Sequence, residues 1–457
     1  MKRSIVLVAV AALSACSEST TDFTRPPATA TLDQQVRQSI ASWGVVPMLA
    51  VKAQDPALVE LGQALFFDKV LSGNRDVSCA SCHSPLTGSG DGLSLAIGTG
   101  WSGGQLKALG KGRQFTPRNA PSLFNVALGS QYMFWDGRVS VDFGPQGQFH
   151  APAGVLLPAG LSNVLAAQAM IPVTNRVEMR GDAGDRDVFG NVNELAQIND
   201  DENQVIWKSV MQRVLGIPGY VQKFAAAYPG VSPSALGFQH AANAIAAFEA
   251  SAFTKSNTAF DRYLARDDNA LTTDAKRGAI LFFGQARCAS CHNGPMLGAQ
   301  QFANAGVPQL GPGTGKQLPL DDGRQNDANV GPPVAQPFSF RVAPLRNIEL
   351  SAPYMHDGVY ATLEEVVRHY NNVDSALKAF DPAVLSPSLR TSYHGDAATI
   401  ARISSTIDGR IKQPLGLTLD EQRQIVAFLK SLTDPAARDL SGVIPAAVPS
   451  GLPVRDR

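Results

Sequence analysis

Two five-residue strings constrain this chain more than anything else in it: Cys79-Ala-Ser-Cys82-His83 and Cys288-Ala-Ser-Cys291-His292. Each is the C-x-x-C-H pattern of c-type haem attachment. Two thiols at that spacing add to the two vinyl groups of one porphyrin. The adjacent histidine is then held beneath the iron as its proximal ligand. The competing chemistry is zinc or a redox dithiol. Zinc pairs of C-x-x-C usually lie ~15–20 residues apart and do not each need a following histidine. These two lie in opposite halves of the chain, and both carry the histidine. Two covalently bound haems c are therefore expected, one on Cys79, Cys82 and His83, the other on Cys288, Cys291 and His292.

The chain has five cysteines, so one remains, Cys16. It closes an N-terminal segment with a short basic start, Met1-Lys2-Arg3, and an apolar run from Ser4 to Ala12. That run is too short to span a bilayer and suits the apolar region of a signal peptide. Leu13-Ser14-Ala15-Cys16 resembles the bacterial lipobox, in which the cysteine is diacylated and becomes the new N-terminus. The expectation is a lipoprotein signal peptide over 1–15, lipidation at Cys16, and a periplasmic protein touching the membrane only through a lipid anchor. An ordinary cleaved signal with an incidental cysteine is the alternative.

Formal net charge is zero and no basic run occurs, so nucleic acid is not an expected partner. With 41 Gly and 30 Pro the chain holds much loop, which two porphyrins can offset by supplying apolar core. A weak long-range repeat is visible. Leu61-Gly62-Gln63-Ala64-Leu65-Phe66-Phe67 precedes the first haem string and Arg277-Gly278-Ala279-Ile280-Leu281-Phe282-Phe283 the second. Both have the spacing of amphipathic helices. Ala241 to Phe253 reads as a buried helix ending a first domain. Thr418 to Leu432, with its N-cap threonine, early acids and late lysine, reads as the closing helix of a second. Alternating runs are few. The expected class is mainly α, with two cytochrome c-like haem domains packed around an interface. The expected limits are a tether over 16–54 carrying a short helix near Leu32 to Trp43, a haem domain over 55–254, a second over 255–435, and a loose Pro-rich tail over 436–457.

A specific resemblance rests on an ordered series of motifs: Leu71-Ser72-Gly73-Asn74, Pro117-Arg118-Asn119-Ala120-Pro121, Phe134-Trp135-Asp136-Gly137-Arg138, Leu165-Ala166-Ala167-Gln168, Pro172 through Val177-Glu178-Met179, Pro344-Leu345-Arg346-Asn347-Ile348, and Ala352-Pro353-Tyr354-Met355-His356-Asp357-Gly358. In this order, over about residues 55–435, the chain resembles the bacterial dihaem cytochrome c peroxidase / MauG superfamily.

The resemblance implies that the first haem keeps an open face for hydrogen peroxide, lined by Gln168 and Glu178 with Pro172 nearby. Glu178 then serves as acid and base, and Gln168 as an oriented hydrogen-bond partner. A Glu178 merely paired with Arg176 or Arg180, and a Gln168 capping backbone, are the bland alternatives. Trp135 is implied to lie between the haems and relay electrons. Asn119 with the carbonyls of Ser351 and Pro353 matches an inter-domain calcium site, with the oxygen-only ligands a hard cation takes. The second haem is implied to transfer electrons, with its sixth ligand at the position of Tyr370; His369 and Met355 are rivals. Many relatives carry a histidine in a Gly-His-Gly-Trp string that closes the first haem. Here the string is Gly98-Thr99-Gly100-Trp101, so that face is expected to be open. His150, in a long interval from Val139 to Val164, is a lesser candidate to close it. His356 is a residue near the second haem edge without an assigned role, and His240 and His394 also carry none.

The implied reaction is reduction of hydrogen peroxide to water with electrons from a small c-type cytochrome or cupredoxin. A MauG-like enzyme spending ferryl equivalents on a protein side chain is the alternative, favoured by Thr99 and Tyr370. A plain electron-transfer cytochrome is the third reading. Relatives are often homodimers, but no residue here shows it. Pyridine haemochrome titration is expected to find two covalently anchored porphyrins per chain; fewer than two overturns the reading.

Overall fold

The computed structural model describes residues 30–103, 108–142, 147–298, 300–315, 317–326 and 337–456. The expected signal peptide over 1–15 and lipidated Cys16 lie outside the described residues, as does 16–29 of the expected tether. Helices dominate, in the order α1 (Leu32–Ile40), α2 (Pro56–Phe67), α3 (Cys79–Cys82), α4 (Val164–Ala169), α5 (Asn203–Leu215), α6 (Pro218–Ala227), α7 (Phe238–Phe253), α8 (Ala259–Leu264), α9 (Thr273–Phe283), α10 (Leu363–Asn371), α11 (Val373–Lys378), α12 (Pro387–Arg390), α13 (Ala397–Ser405) and α14 (Leu419–Lys430). Among the described residues no helix is long and apolar enough to cross a membrane.

The repeat legible in the sequence is a repeat of packing. Helix α2 starts on Asp55, whose carboxylate accepts from the Ala57 and Leu58 amides, with Pro56 at the first helical position. Helix α9 starts on Thr272, which accepts from the Ala275 amide. Each is crossed by its domain's closing helix, α2 by α7 and α9 by α14. Both crossings occur at a glycine. A Cβ on Gly62 would stand 1.8 Å from the Ala244 carbonyl oxygen, and one on Gly278 1.9 Å from that of Gln424. Only a residue without a side chain lets the backbones touch there. The Phe-Phe pair ending each helix then fills the space beside the crossing. Phe66 meets Phe248 at 5.1 Å between ring centroids, and Phe282 meets Phe428 at 5.1 Å.

Two large hydrophobic cores result, beside a small cluster of Phe338, Leu377 and Ile403. The first gathers α2, α4, α5, α6 and α7; the second gathers α1, α9, α10 and α14. The short strands β1 (Tyr132–Met133), β2 (Val139–Val141) and β3 (Phe149–His150) form one antiparallel sheet, with Met133 opposite Val139 and Ser140 opposite His150. Its first turn is Phe134-Trp135-Asp136-Gly137-Arg138, with φ of 62° at Phe134 and 71° at Gly137. Strands β4 (Phe302–Ala303) and β5 (Phe340–Arg341) pair in the second half.

The described residues before α2 and after α14 are docked on the cores. Part of the tether is docked: Val36 and Ile40 of α1 are buried in the second core. The Trp43 indole N–H donates to the Phe283 carbonyl at 3.1 Å. The C-terminal residues are not loose. Val448 and Leu452 belong to the first core, the Ser450 hydroxyl donates to Asp68 at 2.6 Å, and Lys69 pairs with Asp456 at 2.8 Å. The tail lacks a helical or strand period, so its proline and valine contacts carry no pattern a composition argument can detect. The buried Asp68 carboxylate organises them, also accepting from the Tyr220 hydroxyl at 2.8 Å.

Gly62→Ala and Gly278→Ala each insert a methyl between helix backbones. Each is expected to lose about 3 kcal/mol, the upper range for overpacking, despite alanine's better helix propensity. Denaturant unfolding of the holoprotein checks this; an unchanged midpoint refutes the crossing argument.

Candidate dihaem site

Each C-x-x-C-H string lies on one short turn. Cys79 to Cys82 form α3 and His83 caps it; Cys288 to Ser290 form a 3₁₀ turn followed by Cys291 and His292. None of the four cysteines of these strings is in a disulfide. The two strings open into separate cavities, so they cannot share one metal as a four-cysteine zinc site would. The donor chemistry fits haem. His83 Nδ1 lies 3.2 Å from the Ser89 carbonyl oxygen and His292 Nδ1 3.0 Å from that of Leu297. A carbonyl only accepts, so Nδ1 carries the proton and Nε2 keeps its lone pair for iron. Burial pushes both imidazoles down, His292 to about 4, which holds that lone pair free at neutral pH.

The first cavity gathers Cys79, Cys82 and His83 with Gln168, Pro172 and Glu178. Gln168 stands near the end of α4, which is capped by Asn163 accepting from the Ala166 amide. Glu178 sits in a single π-turn, Arg176–Arg180, nucleated by Asn175, whose side chain accepts from the Val177 and Glu178 amides. Burial pushes its carboxyl above the ordinary carboxylate range, and Arg138, 3.9 Å away, only partly offsets this. Arg176 and Arg180 both pair with Asp200 instead, so the bland reading of Glu178 does not hold.

The string expected to leave this cavity open is turned away from it. The Thr99 hydroxyl donates to Asp76 at 2.7 Å and the Gly100 amide to the same carboxylate at 2.6 Å. The Thr99 amide donates to the Glu178 carbonyl at 3.0 Å, buttressing the π-turn. His150 lies on β3 and pairs with Asp142 at 2.9 Å, as a surface residue.

The second cavity holds Cys288, Cys291 and His292 with Tyr370, Met355 and His356. His369 is excluded as an iron ligand here, because both its ring nitrogens are engaged, by Tyr360 and by the Ala305 carbonyl. His356 stacks on Phe340 at 3.6 Å between ring centroids. Asn119, Ser351 and Pro353 line this same cavity. The Asn119 amide group donates to the Leu93 carbonyl at 2.7 Å, which leaves its side-chain oxygen for another partner.

Trp135 and Asn119 line both cavities. The Trp135 indole N–H donates to the Asn119 carbonyl at 2.9 Å, and its own carbonyl accepts from the Arg341 amide at 2.7 Å. The hairpin loop carrying it is fixed by Arg118. That buried guanidinium pairs with Asp136 at 2.5 Å and with Asp321 at 2.6 Å. The Asp136 carboxyl is burdened by burial, but Arg118 and Arg138 more than reverse this and hold it far below the usual range.

Sequence reasoning missed three residues here. Arg118 appeared only inside a motif, and Asp321 not at all. Glu249, buried in α7, lines the first cavity, and burial pushes its carboxyl up to about 8. Its signal was a lone acid in the apolar run Ala-Ala-Phe-Glu-Ala.

Comparison with known proteins agrees with this geometry. Residues 56–269 match the family model described as di-haem cytochrome c peroxidase. The chain is 30% identical to the methylamine utilization protein MauG of Methylorubrum extorquens, over 86% of this chain and 83% of that protein. It is 30% identical to the cytochrome c551 peroxidase of Nitrosomonas europaea, over 85% and 84% of the two chains. A crystal structure of a MauG-like protein associated with microbial copper homeostasis superposes with a TM-score of 0.56 at 26% identity, covering 87% of this chain and 95% of that one. Two haem-attachment turns in separate cavities, bridged by one tryptophan, and relatives of nearly equal span give one conclusion: the chain belongs to the di-haem cytochrome c peroxidase family.

Proposed function

We propose that this chain reduces hydrogen peroxide at the first cavity and receives electrons through the second. The observation that carries the reading is asymmetry. Both cavities have the same proximal turn, but only the first is lined by buried carboxyls of raised pKa, Glu178 and Glu249, and Trp135 borders both. The haems supply the redox equivalents that break the O–O bond. The chain supplies proton handling and position. A Glu178 carboxylate oxygen accepts the proton of bound peroxide and returns it to the departing oxygen, so that water leaves. The Gln168 amide donates a hydrogen bond that orients the peroxide. Trp135 carries electrons between the cavities.

In the second cavity Tyr370 is the proposed sixth ligand. Phenolate is a hard anionic donor that favours oxidised iron. Tyr370 and the turned-away Thr99 support a second reading, a MauG-like enzyme that spends its oxidising equivalents on a protein side chain. Under the first reading the donor is a small c-type cytochrome or cupredoxin. The Asn119 side-chain oxygen with the Ser351 and Pro353 carbonyls is the proposed calcium site. The leader ending at Cys16 supports a periplasmic, lipid-anchored protein.

EPR of the diferric holoprotein separates the readings. One high-spin and one low-spin signal, with rapid turnover of reduced cytochrome c, supports the peroxidase. The same signals with a long-lived near-infrared band after peroxide support the side-chain oxidant. Two low-spin signals indifferent to peroxide overturn both. A Tyr370→Phe variant with an unchanged low-spin signal refutes that ligand.

Glu178 must be ionised to take the first proton. Its raised pKa therefore places an acid limb in the pH profile above the ordinary carboxylate range, with activity falling as pH drops through it. Glu178→Gln is expected to lower turnover by about 10²–10⁴-fold and abolish that limb. A variant keeping both rate and limb removes Glu178 from the reaction.

A further inference from the structure

One buried pair beside the second cavity takes no part in the reaction proposed above. Tyr360 and His369 are 9% and 1% exposed. The Tyr360 hydroxyl oxygen lies 2.9 Å from His369 Nδ1, and His369 Nε2 lies 2.8 Å from the Ala305 carbonyl oxygen. The carbonyl can only accept, so Nε2 carries the ring proton and Nδ1 offers a lone pair. The Tyr360 O–H is therefore the donor. A buried tyrosine satisfied by a carbonyl is held in place but has nowhere to send its proton. One satisfied by a neutral imidazole has a proton acceptor already in contact.

The pair also stands in an aromatic series. Tyr370, which lines the second haem cavity, meets His369 at 5.4 Å between ring centroids. His369 meets Tyr360 at 5.2 Å, Tyr360 meets Phe380 at 6.4 Å, and Phe380 meets Tyr393 at 5.4 Å. Tyr393 is half-buried and reaches the surface. Every ring in this series is within contact of the next, from the cavity to solvent.

We propose that Tyr360 is a redox-active tyrosine that gives one electron, through Tyr370, to the peroxide-oxidised dihaem unit while its phenolic proton passes to Nδ1 of His369. The proposal rests on the peroxidase reading, which supplies the oxidant. The Tyr360 O–H bond breaks and an Nδ1–H bond forms, leaving a neutral phenoxyl and an imidazolium whose Nε2–H stays on the Ala305 carbonyl. Loss of an electron makes a phenol a far stronger acid than any imidazolium, so the transfer runs toward His369. A one-electron donor at the Tyr393 surface refills the ring across Phe380, and the proton returns. Phe380 serves only as a bridge. Tyr360 thereby provides an exit for oxidising equivalents separate from Trp135.

The test is EPR of the full diferric holoprotein, frozen after stoichiometric hydrogen peroxide with no donor present. The expected result is a changed haem spectrum together with a tyrosyl radical. Tyr360→Phe, which removes only a hydroxyl, should keep the resting haem signals and lose the radical. His369→Gln should retain the haem response and lose most of the radical, since a glutamine accepts a hydrogen bond but not the proton. Tyr393→Phe should retain the radical and lengthen its lifetime when donor is added. In the unmodified protein, a nitroso spin trap followed by peptide mass mapping should place the adduct on Tyr360 or Tyr393. A radical unaltered in Tyr360→Phe, or adducts confined to other residues, overturns the proposal while leaving the peroxidase reading intact. Haems that ignore peroxide overturn both.

Discussion

The arrangement of the two haem cavities depends on one buried cation. Arg118 is 6% exposed and lies between Asp136, on the β1–β2 loop, and Asp321, far along the chain in the second half. Its contact with Asp321 is two-pronged, Nε at 2.6 Å and an outer nitrogen at 2.9 Å, the geometry in which a guanidinium is held in direction as well as distance. A buried charge is costly unless both partners are present. The loop, the Pro117–Pro121 segment and the second half therefore reach this geometry together. Trp135 sits next to Asp136, and the Arg341 amide and guanidinium hold the loop carbonyls of Trp135 and Phe134. Trp135, which borders both cavities, is thus placed by interactions from both halves.

The two halves share a plan and differ at one face. Each has a glycine crossing, a Phe-Phe pair, a C-x-x-C-H turn, and a proximal histidine whose Nδ1 is held by a backbone carbonyl. What distinguishes them is the element that completes the cavity lining. In the first it is the π-turn that presents Glu178; in the second it is α10, which presents Tyr370. A duplicated framework thus carries unequal chemistry because the opposing residues come from outside the repeat.

This division explains what the sequence disclosed. The repeat was legible because it is local: the haem strings, the helices before them and the capping threonine of α14 are contiguous signals. Gln168, Glu178 and Trp135 were found through motif order, and the structure gathers all three at the first cavity. The Arg118–Asp321 pair was illegible because charge complementarity across some two hundred positions leaves no periodic trace. His369 ranked as a possible ligand because spacing along a helix cannot show that Tyr360 and Ala305 already occupy its nitrogens. The docking of the C-terminal tail was illegible for a related reason, since an irregular segment docks through side-chain contacts rather than through a pattern.

Those segments also tie the two cores together. Among the crossings between the cores, those near residues 48, 256 and 434 are tied to one another. The Met48 amide donates to Asp261 at 3.1 Å, the Asn257 amide to Asp434 at 2.8 Å, and the Asp434 amide to Asn347 at 2.8 Å. Lys255 is held from both sides, its carbonyl accepting from Asn125 at 3.1 Å and from Asn347 at 3.0 Å. Two domains joined by one linker and a small interface are expected to move against each other. Three bonded crossings, a docked helix α1 and a docked tail oppose that motion, and Arg118 opposes it from within. Under the proposed relay, electron transfer through Trp135 needs a constant separation, because its rate falls steeply with distance. The fold meets that need by distributing the constraint: side chains set the spacing at Trp135, and the chain's own path keeps the two halves from drifting apart.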